Sequence, residues 1–270
     1  VAGRSRNLRT LLAFLLAVVV IGRGAECRSE GPLLLPGIHG HDDRASQPDD
    51  HAWPWIAIGR VNRATGGFCT GALVAPDLVL TAAHCLWNRR TGRLLRPEAV
   101  HFAAGWWRGD YVAHARGRAF ITPSGLAWTR LGQVTALHAD WALIRLGSII
   151  PASTLPPLAL ASEPVRPPAA VTRAGYSRDR PNLLSRHNDC DVEGVADGGA
   201  LLLHDCDATF GDSGSPLLKR DGGTWTIVGI QVATSLDRAG PGIAVRVTAS
   251  MLDLAQNPGS LRGSAQTLTR

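Results

Sequence analysis

Apolar residues along this chain fall in short runs, each closed by turn-forming residues. Such runs cover Trp53–Val61, Phe68–Val74, Leu78–Thr81, Val100–Trp107 and Ala142–Leu146 in the first half. Ala170–Tyr176, Ala200–His204, Trp225–Val232 and Ile243–Val247 follow in the second. Ala75-Pro76-Asp77 and Asp221-Gly222-Gly223 supply turn chemistry between runs. Many short strands with frequent turns predict an all-β sandwich or barrel. Helix is expected only as a short turn around Ala82–Leu86 and as a C-terminal piece near Ala249–Gln256. The proline-rich stretch Pro151–Pro168 reads as the connection between two halves of the fold.

The first residues follow a different pattern. Arg4, Arg6 and Arg9 precede an unbroken apolar run from Leu11 to Ile21, and small residues Gly22, Gly24 and Ala25 come next. A basic head, an apolar run and small residues make a secretory signal peptide, assigned to residues 1–24. The run falls short of the ~18–20 residues that span a bilayer, so no membrane association is expected after signal removal. Residues 25–37 read as a linker or pro-segment, 38–256 as one folded domain and 257–270 as a polar tail. Export implies a secreted or periplasmic protein.

The formal charge of +6 shrinks under this reading. Arg4, Arg6, Arg9 and Arg23 leave with the signal, and the remainder carries +2. A nucleic-acid partner loses its electrostatic support. Cys69, Cys85, Cys190 and Cys206 form an even set in an exported chain, which suggests disulfides. Of three possible pairings, Cys69–Cys85 and Cys190–Cys206 each close a local loop and are the pairing expected here; Cys27 stays unassigned. No cysteine pair has zinc-ligand spacing and no H-E-x-x-H occurs, so neither metal nor cofactor is expected.

Three segments carry candidate chemistry: Thr81-Ala82-Ala83-His84-Cys85, Asp140-Trp141-Ala142-Leu143-Ile144-Arg145-Leu146 and Gly211-Asp212-Ser213-Gly214-Ser215-Pro216. A serine hydroxyl is a poor nucleophile near neutral pH and needs a base within hydrogen-bond reach, a role histidine suits. The histidine in turn needs a carboxylate to hold its tautomer and stabilise the imidazolium. Ser213, His84 and Asp140 supply those groups. The backbone N–H groups of Gly211 and Ser213 are the natural donors to a developing oxyanion, since the flanking glycines permit a tight turn.

These segments, in this order, resemble the trypsin-like serine peptidases, which arrange histidine, aspartate and serine in the same sequence. "GFCTGALVAPDLVLTAAHC" is similar to the strand pair and disulfide that frame the histidine of that family, and Ala174–Ser177 and Pro241–Ala244 also have counterparts. Gly40–Arg44 and "HDCDATFGDSGSP" resemble its bacterial branch, which includes the glutamyl endopeptidases. The resemblance implies two packed six-stranded antiparallel β-barrels with a short C-terminal helix, a triad in the cleft between them, and an endopeptidase acting through an acyl-enzyme on polypeptide substrates as a monomer. It also suggests Asp207 as the base of the substrate pocket, favouring Arg or Lys, and an activating pair between a new amine at Ile38 and Asp212. The pocket wall falls at Val232–Ser235. Gly229-Ile230-Gln231 lacks the histidine that the glutamyl subgroup carries there.

The alternatives are a catalytically inactive binding protein on the same fold, an α/β-hydrolase and a metal site at His39, His41, Asp42 and Asp43. The first predicts a damaged triad, and all three members are present. The second needs G-x-S-x-G with serine first in order, whereas position 215 is Ser and Ser213 comes last. The clustered polar groups of the third also suit a surface loop.

Overall fold

Short apolar runs of this kind cannot bury both faces alone; closing them into a ring satisfies every strand edge as well. A computed structural model describes residues 35–235 and 240–256. The predicted signal segment, residues 25–34 of the expected linker and the expected tail at 257–270 lie outside the described residues. Six strands of the first half build one ring: β1 (Ile58–Arg63), β2 (Phe68–Ala75), β3 (Leu78–Thr81), β4 (Val100–Ala104), β5 (Ala113–Ile121) and β6 (Ala142–Leu146), with a separate two-stranded pair, Trp87–Asn88 and Arg93–Leu94, between β3 and β4. They close an antiparallel barrel in the order β1-β2-β3-β6-β5-β4. Ile58, Leu73, Leu80, Phe102, Phe120, Leu143 and Ile144 on these strands are each essentially out of water, on one face of the sheet or the other. Each such side chain stabilises the fold by roughly 1.5–3 kcal/mol.

Six further strands build a second ring: β7 (Ala169–Gly175), β8 (Ser185–Ala196), β9 (Leu201–His204), β10 (Pro216–Asp221), β11 (Thr224–Thr234) and β12 (Gly242–Arg246). Their order is β10-β7-β8-β9-β12-β11, and pairing of β10 with β11 closes it. The short strand Ala159–Leu160 adds to β11 in parallel. Pro151–Pro168 lies between β6 and β7, so it does connect the two barrels. A single helix, α1 (Ser250–Gln256), ends the described chain.

Three strands escaped the hydrophobic pattern. In β5, Ala115 and Gly117 face inward while His114, Arg116 and Arg118 face solvent, so the inward face is too small to register as apolar. Along β8, Cys190 and Val192 are buried among polar neighbours, and Ser185 and Arg186 are buried polar groups. β10 offers only Leu217 and Leu218 after its proline.

Cys69 bonds Cys85, and Cys190 bonds Cys206, each across 16 residues. The second pair sits in the apolar cluster of Val171, Val192, Leu202 and Leu217. A loop of that size constrains the unfolded chain by ~3 kcal/mol. Cys190→Ala/Cys206→Ala is therefore expected to lose about that much stability, read as a lower midpoint in urea. An unchanged midpoint would show that the loop is already restrained without the bond.

Candidate active site

β3 ends at Thr81 and passes directly into a 3-10 turn, Ala83–Leu86, which carries His84. The disulfide from Cys85 to Cys69 pins that turn to β2. A second 3-10 turn, Leu137–Ala139, delivers Asp140 immediately before β6. Because β3 and β6 are neighbours, with Thr81 opposite Ala142, the two turns meet at the same end of the barrel. Asp140 is buried, and each of its oxygens is used by one residue: Oδ1 accepts the His84 backbone N–H at 2.9 Å, and Oδ2 lies 2.7 Å from Nδ1. A hydrogen on Nδ1 donating to Asp140 leaves Nε2 as the acceptor, the tautomer a general base requires. The imidazole keeps partial exposure, 28% of its side chain, as a group working at a cleft surface must.

The Ser213 loop belongs to the second barrel and is tied to the first. Ser213 accepts the Thr70 N–H through its carbonyl at 2.9 Å, and Gly214 donates to the Gln231 carbonyl at 2.7 Å. Gly214 has a φ of 82°, and a Cβ there would lie 2.2 Å from the Thr70 carbonyl oxygen. Gly211 has a φ of 99°, with the Tyr176 carbonyl oxygen 2.6 Å from a Cβ position. Both positions thus exclude side chains on conformational and steric grounds. Neither the Gly211 nor the Ser213 N–H donates to another group among the described residues. His84, Asp140, Gly211 and Ser213 line one cleft of about 650 Å³, together with Phe68 of the first barrel and Val232 and Ala233 of β11.

Three sequence-predicted residues, Asp207, Ile38 and Asp212, do not line the cleft. Asp207 is fully buried and does not line the cleft. Its Oδ1 accepts the His39 N–H at 2.7 Å and its Oδ2 accepts the Asp43 N–H at 2.8 Å. The carboxylate expected to receive a substrate cation instead anchors the N-terminal segment, because backbone amides from 168 and 164 residues away occupy it. Asp43, His187 and Asp207 cluster as well, but the His187 Nδ1 accepts the Asp207 N–H at 2.8 Å.

Ile38 and Asp212 do not pair in the unprocessed chain. Ile38 donates its N–H to the Leu35 carbonyl at 3.2 Å. Asp212, fully buried beside Ser213, accepts from Arg173 Nη1 at 2.5 Å, Ser177 Oγ at 2.7 Å and the Thr209 N–H at 2.8 Å. Arg173 is itself fully buried on β7. Burial pulls its guanidinium below the ordinary value, and the Asp212 carboxylate opposes that shift. A buried carboxylate without a partner is strongly destabilising, and this arginine supplies the partner. Sequence reasoning passed over Arg173, although a lone charge inside the run Ala169–Tyr176 is the signal that marks it.

Arg44 continues the same network. It binds Asp42 and Asp179, each at 2.9 Å, and Arg180 reaches Asp42 at 2.6 Å. Residues 42–44 are thereby clamped to the loop that follows β7. Within the second barrel, burial drives the His204 pKa down to about 3, so that ring stands neutral.

The chain matches the family model described as Trypsin over residues 44–254. It is 31% identical to the glutamyl endopeptidase of Bacillus licheniformis over 97 residues, covering 36% of this chain and 30% of that protein. It is 34% identical to granzyme M of Homo sapiens over 114 residues, covering 42% and 39% respectively. Chymotrypsin-like elastase family member 3B of Homo sapiens is 28% identical over 159 residues, covering 56% and 53%. These matches span from about a third to about half of the relatives' lengths. The fold is shared with a solved Glu endopeptidase in complex with MPD, at a TM-score of 0.68 and 20% identity over 83% of this chain and 99% of that one.

Proposed function

The chain belongs to the trypsin family, and from that premise we propose that it is an exported serine endopeptidase with His84, Asp140 and Ser213 as its triad. Ser213 attacks the peptide carbonyl while His84 Nε2 takes its proton and later returns it to the leaving amine. Asp140 fixes the Nδ1–H tautomer and stabilises the imidazolium. The Gly211 and Ser213 N–H groups receive the oxyanion. Water then hydrolyses the acyl-enzyme by the reverse proton path.

The observation that carries this reading is the pair of unspent amides at Gly211 and Ser213, in one cleft with a histidine held by a buried carboxylate. A binding protein on the same scaffold has no need of either feature. Export accords with the two disulfides and with the basic and apolar head of the sequence. On this reading residues 1–24 are the signal, 25–37 a linker or pro-segment, 38–256 the peptidase domain and 257–270 a tail. Polypeptides are the substrates.

The test is covalent. An organophosphorus fluoride is expected to label the purified chain once, on the tryptic peptide carrying Ser213, and to abolish cleavage of a mixed peptide library. A chain that neither cleaves the library nor takes up the label would overturn the assignment.

A further inference from the structure

Several buried or half-buried arginines of this protein are neutralised. Arg44, Arg145, Arg173, Arg180 and Arg186 each meet a carboxylate. Arg60 is spent differently, stacked 3.9 Å from the Phe68 ring and donating to the Pro181 carbonyl at 3.1 Å. The cleft gathers three others. Arg63, Arg89 and Arg178 all line it, and none has a carboxylate partner among the described residues. Among the described residues, the only acid lining the same space is Asp140, which is buried and committed to His84.

We propose that Arg63, Arg89 and Arg178 form an anion-selecting subsite, so that this enzyme prefers polypeptides with Asp or Glu flanking the cleaved residue. The inference rests on the peptidase reading above and adds its substrate class. Gathering three like charges at one cleft is unfavourable until a counter-charge arrives. Arg63 feels this most: burial first, then repulsion from Arg178 and Arg89, hold its guanidinium below the ordinary value. Its Nε is buried with no acceptor. Arg178 lies over the Phe210 ring, 5.5 Å from its centroid, which steadies its head beside Gly211. Guanidinium groups bind carboxylates through paired N–H donors, so a substrate acid relieves both the repulsion and the unmet donors.

The wall expected to hold the cleaved residue carries no charge among its described residues. Val232 and Ala233 of β11 present no charge, and the Gln231 amide there donates to the Ala233 carbonyl at 2.6 Å. Arg63 ends β1 and Arg89 follows the Trp87–Asn88 strand, both in the first half of the chain, while Arg178 follows β7. On this proposal, acid selection is assigned to neighbouring residues of the substrate and not to the residue cut.

The experiment uses quenched peptides that share one cleaved residue and differ only in Asp/Glu against Asn/Gln at the flanking positions. Wild type is expected to show kcat/KM at least about tenfold higher for the acidic member, and the ratio should shrink in high salt because part of the site is exposed. Arg63→Gln, Arg89→Gln and Arg178→Gln should each lower the ratio, and Arg178→Glu should turn the preference toward Lys-flanked peptides. A merely structural role for these arginines would move neither ratio nor salt dependence. The same peptide pairs, bound to the Ser213→Ala chain and followed by fluorescence anisotropy, read the preference without cleavage. That arm separates failure of the subsite from failure of the peptidase reading. A ratio near one in wild type, or one that survives in the triple glutamine variant, overturns the proposal.

Discussion

Ser213→Ala is expected to lower kcat by as much as ~10⁶, the scale at which a nucleophile working as a unit with its base is lost. The triad is not a sum of parts: without the hydroxyl, His84 has no proton to take and Asp140 has no charge to stabilise. What remains is binding and oxyanion stabilisation, worth roughly 10³–10⁴ over water. Ser213 is only partly buried and its side chain makes no hydrogen bond that supports the fold among the described residues, so the variant should unfold at the wild-type denaturant midpoint. Steady-state cleavage of a peptide substrate, at matched folded concentration, makes the comparison. Equal rates in the two proteins would remove Ser213 from the mechanism.

Arg173→Met is expected to lower kcat/KM by about 10²–10³, the cost of misplacing one oxyanion donor. The link is geometric. Asp212 sits between Gly211 and Ser213, whose amides are the proposed donors, and Arg173 is the cation that holds its carboxylate in the buried interior. Removing the cation leaves a buried charge with two neutral donors, Ser177 and the Thr209 N–H, and a distant Arg44 at 4.0 Å. Breaking such a pair costs about 3–5 kcal/mol of stability as well. Active-site titration therefore has to count the competent molecules, with kcat/KM measured per titrated site. A companion protein in which cleavage before Ile38 is blocked should keep its activity, because Arg173 already fills the place of a new amine. Loss of activity in that protein, with Arg173→Met remaining active, would return the role to Ile38.

The two predictions rest on residues of unequal visibility. His84 and Ser213 stand in segments whose identity and order announce a chemistry, and both line the cleft. β3 and β6 matched the apolar runs Leu78–Thr81 and Ala142–Leu146 residue for residue, since each is a nearly continuous buried strand. β5 and β8 were missed because their inward faces use alanine, glycine, cysteine and serine, which carry little hydrophobic signal. Arg63, Arg89 and Arg178 had none at all. They are ordinary surface arginines along the chain and become a group only when two barrels bring them to one cleft.

Asp207 and Asp212 mark the boundary between the two kinds of knowledge. The amino-acid sequence by itself determined the strand-rich class, the local disulfide loops and the segments bearing histidine, aspartate and serine, because those depend on residue type and near neighbours. The tertiary structure alone decided what each buried carboxylate does. Asp207 is claimed by amides 164 and 168 residues away, and Asp212 by a guanidinium 39 residues away. A carboxylate in a low-dielectric interior takes its role from the donor that reaches it first, and chain order does not say which donor that is.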